Sequence, residues 1–343
     1  MEIKLLNGDC LDKLKELDNN SIDSIVTDPP YGLSFMGKKW DYDVPSVEIW
    51  QECLRVLKPG GHILAFAGSR TYHRMALRIE DAGFDIRDQI MWIYGSGFPK
   101  SHQLGDGWGT GLKPAHEPIV MARKPFKGSC KDNHKEYGVG GLNIDETRIG
   151  NEVRTTPIHS TDAKEDTTLF GLHATIQHER VETTLGRWPA NVILDEEAGV
   201  MLDEQSGERG NGWKKNYGAT DYNGKQYDSS TNQCVFGGGF TGKNTYADTG
   251  GASRFFYCPK ANKKDREDIN NHPTVKPTDL MQYLIRLVTP KGGIVLDPFM
   301  GSGSTGKAAI KEGMSFVGIE REKEYFEIAN QRVVIPKVNK FFE

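Results

Sequence analysis

Gly292-Gly-Ile-Val-Leu-Asp297-Pro-Phe-Met-Gly301-Ser-Gly303-Ser-Thr-Gly306 is the stretch that decides the fold. Its first six residues form a short run of strand length ending in a carboxylate. Gly301, Gly303 and Gly306 let backbone approach a ligand, and a helix starting there, to about Glu312, presents unpaired N–H groups to it. Ser315-Phe-Val-Gly-Ile-Glu320 reads as the next strand and ends in an acid nineteen residues past Gly301, a spacing that suits a ribose diol. Strand, glycine loop, helix, strand and acid together predict a parallel α/β unit with a nucleoside-like ligand at the strands' carboxyl ends.

Three ligands compete for this loop. Gly301 to Lys307 has the spacing of a P-loop, but Ala308 replaces the hydroxyl that would hold magnesium. A nicotinamide site carries its glycines directly off the strand, whereas Asp297-Pro-Phe299 intervenes here. A carboxylate repels a pyrophosphate and suits a cationic donor better. S-adenosylmethionine, with a sulfonium and no phosphate, fits that requirement.

Near the other end stands Asp28-Pro-Pro-Tyr31, after the β-branched run Ile22 to Val26. The two prolines end the strand and fix an extended turn, leaving a carboxylate, a carbonyl and an aromatic ring at a strand's carboxyl end. Taken alone it also reads as a strand-terminating turn with a buried tyrosine. Ile3 to Leu6 is a further short strand, and Asp9 follows it, either at the same edge or as a helix cap. Helical spacing over Ile49 to Leu57, an apolar run His62 to Ala67, a helix to about Ala82 and a strand Ile86 to Tyr94 continue the alternation. Connections this long predict parallel, helix-covered strands.

At 343 residues the chain can bury a full core, and a net charge of -4 gives no global attraction to nucleic acid. Five cysteines without a Cys-x-x-Cys pair argue against a disulfide framework and a zinc site, so no metal is expected and a reducing cytoplasm is the natural setting. No apolar run approaches membrane-spanning length. The middle of the chain is harder to read. Arg123-Lys-Pro-Phe-Lys127 has the composition of a phosphate-contacting strip and equally that of a solvated loop. Gln205 to Ala252 holds 11 glycines in 48 residues, with aromatics and Lys214 and Lys215 interleaved, as either irregular loops or a nucleic-acid track. Ser253 to Cys258 looks like a strand re-entering the core. Asn271-His-Pro-Thr-Val-Lys-Pro277 is a rigid polar turn, with Thr278 as cap of a helix to Val288.

With both ends in view, the chain resembles the β class of DNA amino-methyltransferases, which form N6-methyladenine or N4-methylcytosine. Asp28-Pro-Pro-Tyr31 is similar to their catalytic tetrad and Asp297-Pro-Phe-Met-Gly-Ser-Gly303 to their cofactor loop. Asn7-Gly-Asp-Cys10 and His272-Pro-Thr-Val-Lys-Pro277 resemble motifs that complete the pocket. The resemblance implies a Rossmann-like, mostly parallel seven-stranded sheet with helices on both faces and permuted motif order. Residues 1–125 would form the catalytic half, 126–252 a loop-rich target-recognition insertion and 253–343 the cofactor half. It implies catalysis by Asp28, Pro29, Pro30 and Tyr31. It implies S-adenosylmethionine held by Asp9, Cys10, His272, Thr274, Lys276, Pro277, Asp297, Pro298, Phe299, Gly301, Ser302, Gly303, Thr305 and Glu320. Within that set Asp9 would take the donor's adenine amine, Glu320 the ribose hydroxyls and Lys276 the donor's carboxylate. The leading reading is transfer to a flipped-out adenine N6, because the tetrad begins with Asp; cytosine N4 is the runner-up, and a non-catalytic nucleic-acid-binding module the reading from another class. Duplex DNA, contacted by Arg123, Lys124, Lys127, Lys214 and Lys215, would be the partner. A homodimer, a cognate restriction endonuclease and a cytoplasmic, bacterial or phage-encoded setting belong to the same expectation.

Overall fold

The computed structural model describes residues 1–34, 41–97, 101–150, 154–157, 180–183, 186–208, 250–259, 270, 272 and 275–333. Thr274, Lys214 and Lys215 lie outside the described residues. One sheet of eight strands organises the rest. In chain order these are β1 (Ile3–Asn7), β2 (Ile22–Thr27), β3 (Leu57–Phe66), β4 (Asp85–Ile93), β5 (His116–Arg123), β6 (Val192–Leu194), β7 (Ile294–Asp297) and β8 (Ser315–Glu320). Their spatial order is β1-β8-β7-β2-β3-β5-β4-β6. All neighbours are parallel except β5, which runs antiparallel to both β3 and β4. The sheet thus has one strand more than the resemblance implies, and one of its eight runs in reverse.

Helices cover both faces. α1 (Cys10–Leu14), α2 (Val47–Val56) and α3 (Tyr72–Asp81) bury Leu14, Trp50, Cys53, Val56, Met75 and Ile79 in one core. α6 (Thr278–Val288), α7 (Ser304–Lys311) and α8 (Lys323–Val333) bury Leu280, Leu284, Ala308, Ala329 and Val333 in the other. Two further helices lie outside these groups: α4 (Cys130–Tyr137) packs against β3, where Asn133 Nδ2 donates to Pro59 O at 2.9 Å, and α5 (Glu196–Ser206) lies beside β6. The two-residue period of a strand sorts its side chains between the cores. Ile25, Ile63 and Ala65 face the first core, whereas Val26, Leu64 and Phe66 face the second. That is why β2 and β3 read as continuous apolar runs: all six residues of β2 are buried. Each fully buried Leu or Phe contributes about 1.5–3 kcal/mol.

Three local expectations are adjusted. Pro277, not Thr278, occupies the cap position of α6. The strand expected over His62 to Ala67 is β3, which begins at Leu57, directly where α2 ends. Ala252–Phe255 is a 3-10 turn rather than a strand. Asp203 on α5 accepts from both the Ser253 N–H and its hydroxyl, at 2.7 Å each, and tightens the turn. Only Tyr257 reaches the sheet, bridging Ile193 and stacking on Tyr283 at 3.9 Å.

Candidate active site

The carboxyl ends of β1, β2, β7 and β8 meet at one edge of the sheet and open on a cleft of about 560 Å³. Both motifs line it. Leu296 lies beside Ile25 in the β2–β7 ladder, which brings Asp297 within one residue of Thr27. Asp297 is 2% exposed. One of its oxygens accepts from Thr27 Oγ1 (2.6 Å) and Phe299 N (3.1 Å), the other from Thr305 Oγ1 (2.6 Å). Burial pushes its carboxyl up to about 6, against the pull of those hydrogen bonds. The side chain therefore ties β2, β7 and α7 together and shapes the loop.

The glycine loop turns as the sequence requires. Gly301 and Gly303 have φ of +54° and +83°. A Cβ at Gly303 would stand 2.8 Å from Val333 Cγ2, so glycine serves both the left-handed turn and the packing against α8. Glu320 closes the loop: its carboxylate accepts from Gly301 N (2.8 Å) and Glu322 N (2.7 Å). Burial raises this acid above its ordinary range. Ser302 Oγ accepts from Asn270 Nδ2 (3.1 Å) and Arg332 Nη1 (3.0 Å). The same Asn270 accepts from the His272 N–H (3.1 Å), and the His272 ring meets Tyr325 edge-on at 4.4 Å. Phe299 packs edge-on against Trp50 at 6.0 Å.

The tetrad stands at the other end of the cleft. Asp41, 2% exposed, accepts from the N–H groups of Tyr31 (2.7 Å), Gly32 (2.9 Å) and Leu33 (3.2 Å), and so fixes the turn after the prolines. The Tyr31 hydroxyl lies 2.7 Å from Asp28 Oδ1 and 3.0 Å from Glu117 Oε2. Lys276 Nζ donates to Asp28 Oδ2 (2.6 Å) and lies 3.2 Å from both Tyr31 Oη and Glu117 Oε2. Burial alone would lower the Lys276 ammonium, but Asp28 and Glu117 outweigh it and hold the charge on. Burial, then the same two acids, pushes the Tyr31 phenol well up. Trp92 and Tyr94, tilted rings 5.4 Å apart, line the adjoining wall.

Of the expected site residues, Asp9, Cys10, Asp28, Pro29, Pro30, Tyr31, His272, Lys276, Asp297, Pro298, Phe299, Gly301, Ser302, Thr305 and Glu320 line this one cleft. Asp9 also caps α1, accepting from Leu11 N at 3.0 Å. Burial pushes the Cys10 thiol up to about 12, so it stays protonated. Among the described residues no group of His, Cys, Asp and Glu is arranged to hold a metal ion, and no helix is long and apolar enough to cross a membrane.

Two groups of expected site residues make contacts that the sequence did not indicate. Lys276, read as a partner for the donor's carboxylate, ends on the tetrad, because the turn before α6 carries it across to Asp28. Arg123 and Lys124 sit at the opposite edge of the sheet, where the reversed β5 ends. There Lys124 Nζ donates to Asn20 Oδ1 (2.8 Å), Leu57 O (2.7 Å) and Arg55 O (3.3 Å), and burial lowers its charge affinity. Arg123 stacks over Phe126 at 4.7 Å and donates to Gly140 O at 3.3 Å. Both heads serve the protein itself. Glu117, Asp41, Trp92, Tyr94 and Tyr325 belong to the cleft without having been singled out. An acid at the start of an apolar strand, as in His116-Glu117-Pro118, was the available sign for Glu117.

The chain is similar to known DNA methylases. A sequence profile of the N6/N4 DNA methylase family matches residues 22–331. The chain belongs to that family. It is 22% identical over 351 residues to the type II methyltransferase M.HinfI of Haemophilus influenzae, covering 96% of this chain and 67% of that protein. It is 24% identical to the type II methyltransferase M.HindIII of the same species, covering 98% and 97%. The solved structure of the PvuII DNA methyltransferase, cytosine-N4-specific, shares the fold at a TM-score of 0.53 and 15% identity, covering 97% of this chain and 87% of that one.

Proposed function

We propose that the protein transfers a methyl group from S-adenosylmethionine to the exocyclic N6 of an adenine flipped out of duplex DNA. The observation that carries the reading is the single cleft that joins the Asp28 carboxylate to the glycine loop. The residues present suit the donor. Asp9 and Glu320 lie together where β1 and β8 end, as acceptors for an adenine amine and a ribose diol. The loop between Asp297 and α7 lets backbone approach a ligand without a phosphate to neutralise. Bound there, the donor supplies an electrophilic methyl on a cationic sulfur.

The chain's own groups do the rest. An exocyclic amine is a poor nucleophile because its lone pair is delocalised into the ring. Asp28 accepts a hydrogen bond from one of its N–H groups and the Pro29 carbonyl from the other, which favours a tetrahedral nitrogen with its lone pair toward the methyl group. No enzyme nucleophile is needed, in keeping with the protonated Cys10 thiol. Extruding the base costs a few kcal/mol, offset by stacking and hydrogen bonds in the pocket. Tyr31, Trp92 and Tyr94 supply aromatic surface there. Asp at the head of the tetrad favours adenine over cytosine, and the type II relatives favour a role beside a cognate restriction endonuclease acting on cytoplasmic DNA.

Nucleoside mass spectrometry of duplex DNA incubated with methyl-labelled donor tests this. Labelled N6-methyladenine is expected. Labelled N4-methylcytosine would move the target base while keeping the chemistry, and no labelled base on DNA rich in varied sequence would sink the reading.

A further inference from the structure

The tetrad's carboxylate has a neighbour that no motif contains. Glu117 is the second residue of β5, the strand that runs backwards, so it reaches the carboxyl edge from the opposite chain direction. Its Oε2 lies 3.0 Å from the Tyr31 hydroxyl and 3.2 Å from Lys276 Nζ. The same two donors also serve Asp28, at 2.7 and 2.6 Å. A phenol has one proton, so at any moment Tyr31 donates to only one of the two acids. Two carboxylates from distant parts of the chain thus share one pair of donors, and both line the cleft.

We propose that Glu117 is a positioning residue that takes over the Tyr31 hydroxyl and the Lys276 ammonium when the target amine arrives, leaving Asp28 free to accept from it. This rests on Asp28 being the acceptor of that amine. While both donors sit on Asp28, each of its oxygens already holds a short, charge-assisted bond, and a third donor meets a weakened acceptor. Lys276 cannot retreat into solvent. It is 8% exposed, and its Nζ lies 4.9 and 5.5 Å from the ring centres of Phe66 and Tyr31. Its charge must therefore be balanced inside the cluster, and a donor stranded there would be strongly unfavourable. Glu117 offers an ionic acceptor within reach of both donors, so the exchange leaves none of them unpaired. A purely structural ion pair with Lys276 would need only one acid.

Two variants test the assignment. Glu117→Gln keeps the shape and removes the charge; Glu117→Asp keeps the charge and withdraws it by one methylene. In both, single-turnover methyl transfer to duplex DNA should fall about tenfold or more while donor and DNA affinities stay within about twofold of the parent. The Tyr31→Phe substitution should cost markedly less in the Glu117→Gln background than in the parent, because the phenol then only burdens Asp28. Parent-like rates in both variants, additive losses in the Tyr31 cycle, or a loss of affinity and melting temperature in step with rate would overturn the proposal. A parent protein that transfers no methyl group would sink the activity reading, and this proposal with it.

Discussion

The two ends of the cleft hold their polar groups by different means. At the glycine-loop end, carboxylates are held by short side chains and backbone: Asp297 by two threonine hydroxyls and a backbone N–H, Glu320 by two backbone N–H groups. At the tetrad end, Asp28 is held by two side chains, its tetrad neighbour Tyr31 and the distant Lys276, and those partners have a second acid within reach. The first arrangement suits a rigid seat for a ligand whose shape does not change. The second suits a group that must alter its hydrogen bonds during a reaction. The difference teaches where substitution should remove chemistry and where it should remove form.

The largest effect tests the tetrad end. Asp28→Ala should lower methyl transfer by about a hundred- to a thousandfold, the scale of losing one developing-charge contact, while donor affinity measured by calorimetry stays unchanged. Lost donor binding would erase the division of labour between the ends. Next comes the rigidity of the loop seat. The folded state raises Asp297 from 3.8 to about 6, so it binds that proton more tightly than the unfolded chain does. The resulting stabilisation is present below pH 3.8 and is lost as pH rises through 6. The wild type, measured against Asp297→Asn by denaturant unfolding, should thus lose up to about 3 kcal/mol between pH 4 and 7. A flat difference would show that Asp297 is not held as described. Gly303→Ala should cost about 1–3 kcal/mol, since it places a Cβ at φ +83° against Val333, and should weaken donor binding along with the melting temperature. The smallest effect concerns the opposite edge. Lys124→Ala should leave DNA affinity within about twofold and its salt slope unaltered, while the melting temperature drops.

Legibility in the sequence followed distance along the chain. Gly292 to Glu320 is a local unit whose strand, turn and helix signals need no distant partner, and the structure forms it as read. The tetrad was legible because two prolines dictate their own backbone. What could not be read depends on which strands become neighbours. The reversal of β5 sends Glu117 to the cleft and Arg123 to the far edge, and composition alone says nothing of direction. Lys276 meets Asp28 across 248 positions, and Asp41 reaches back past residues whose pattern gave no hint of a carboxylate cradle.

The hydrogen bond between Thr27 and Asp297 spans 270 positions, and β1 at the start of the chain pairs with β8 near its end. On a ribosome the tetrad emerges long before Asp297, which Thr27 meets across the sheet, and β1 has no ladder partner until β8 at residues 315–320. A nascent chain therefore carries a half-built sheet with open edges over the interval between β2 and β8. The cleft can first form only once residues 294–320 have left the tunnel to pair with β1 and β2, and chaperone dependence should concentrate before that point.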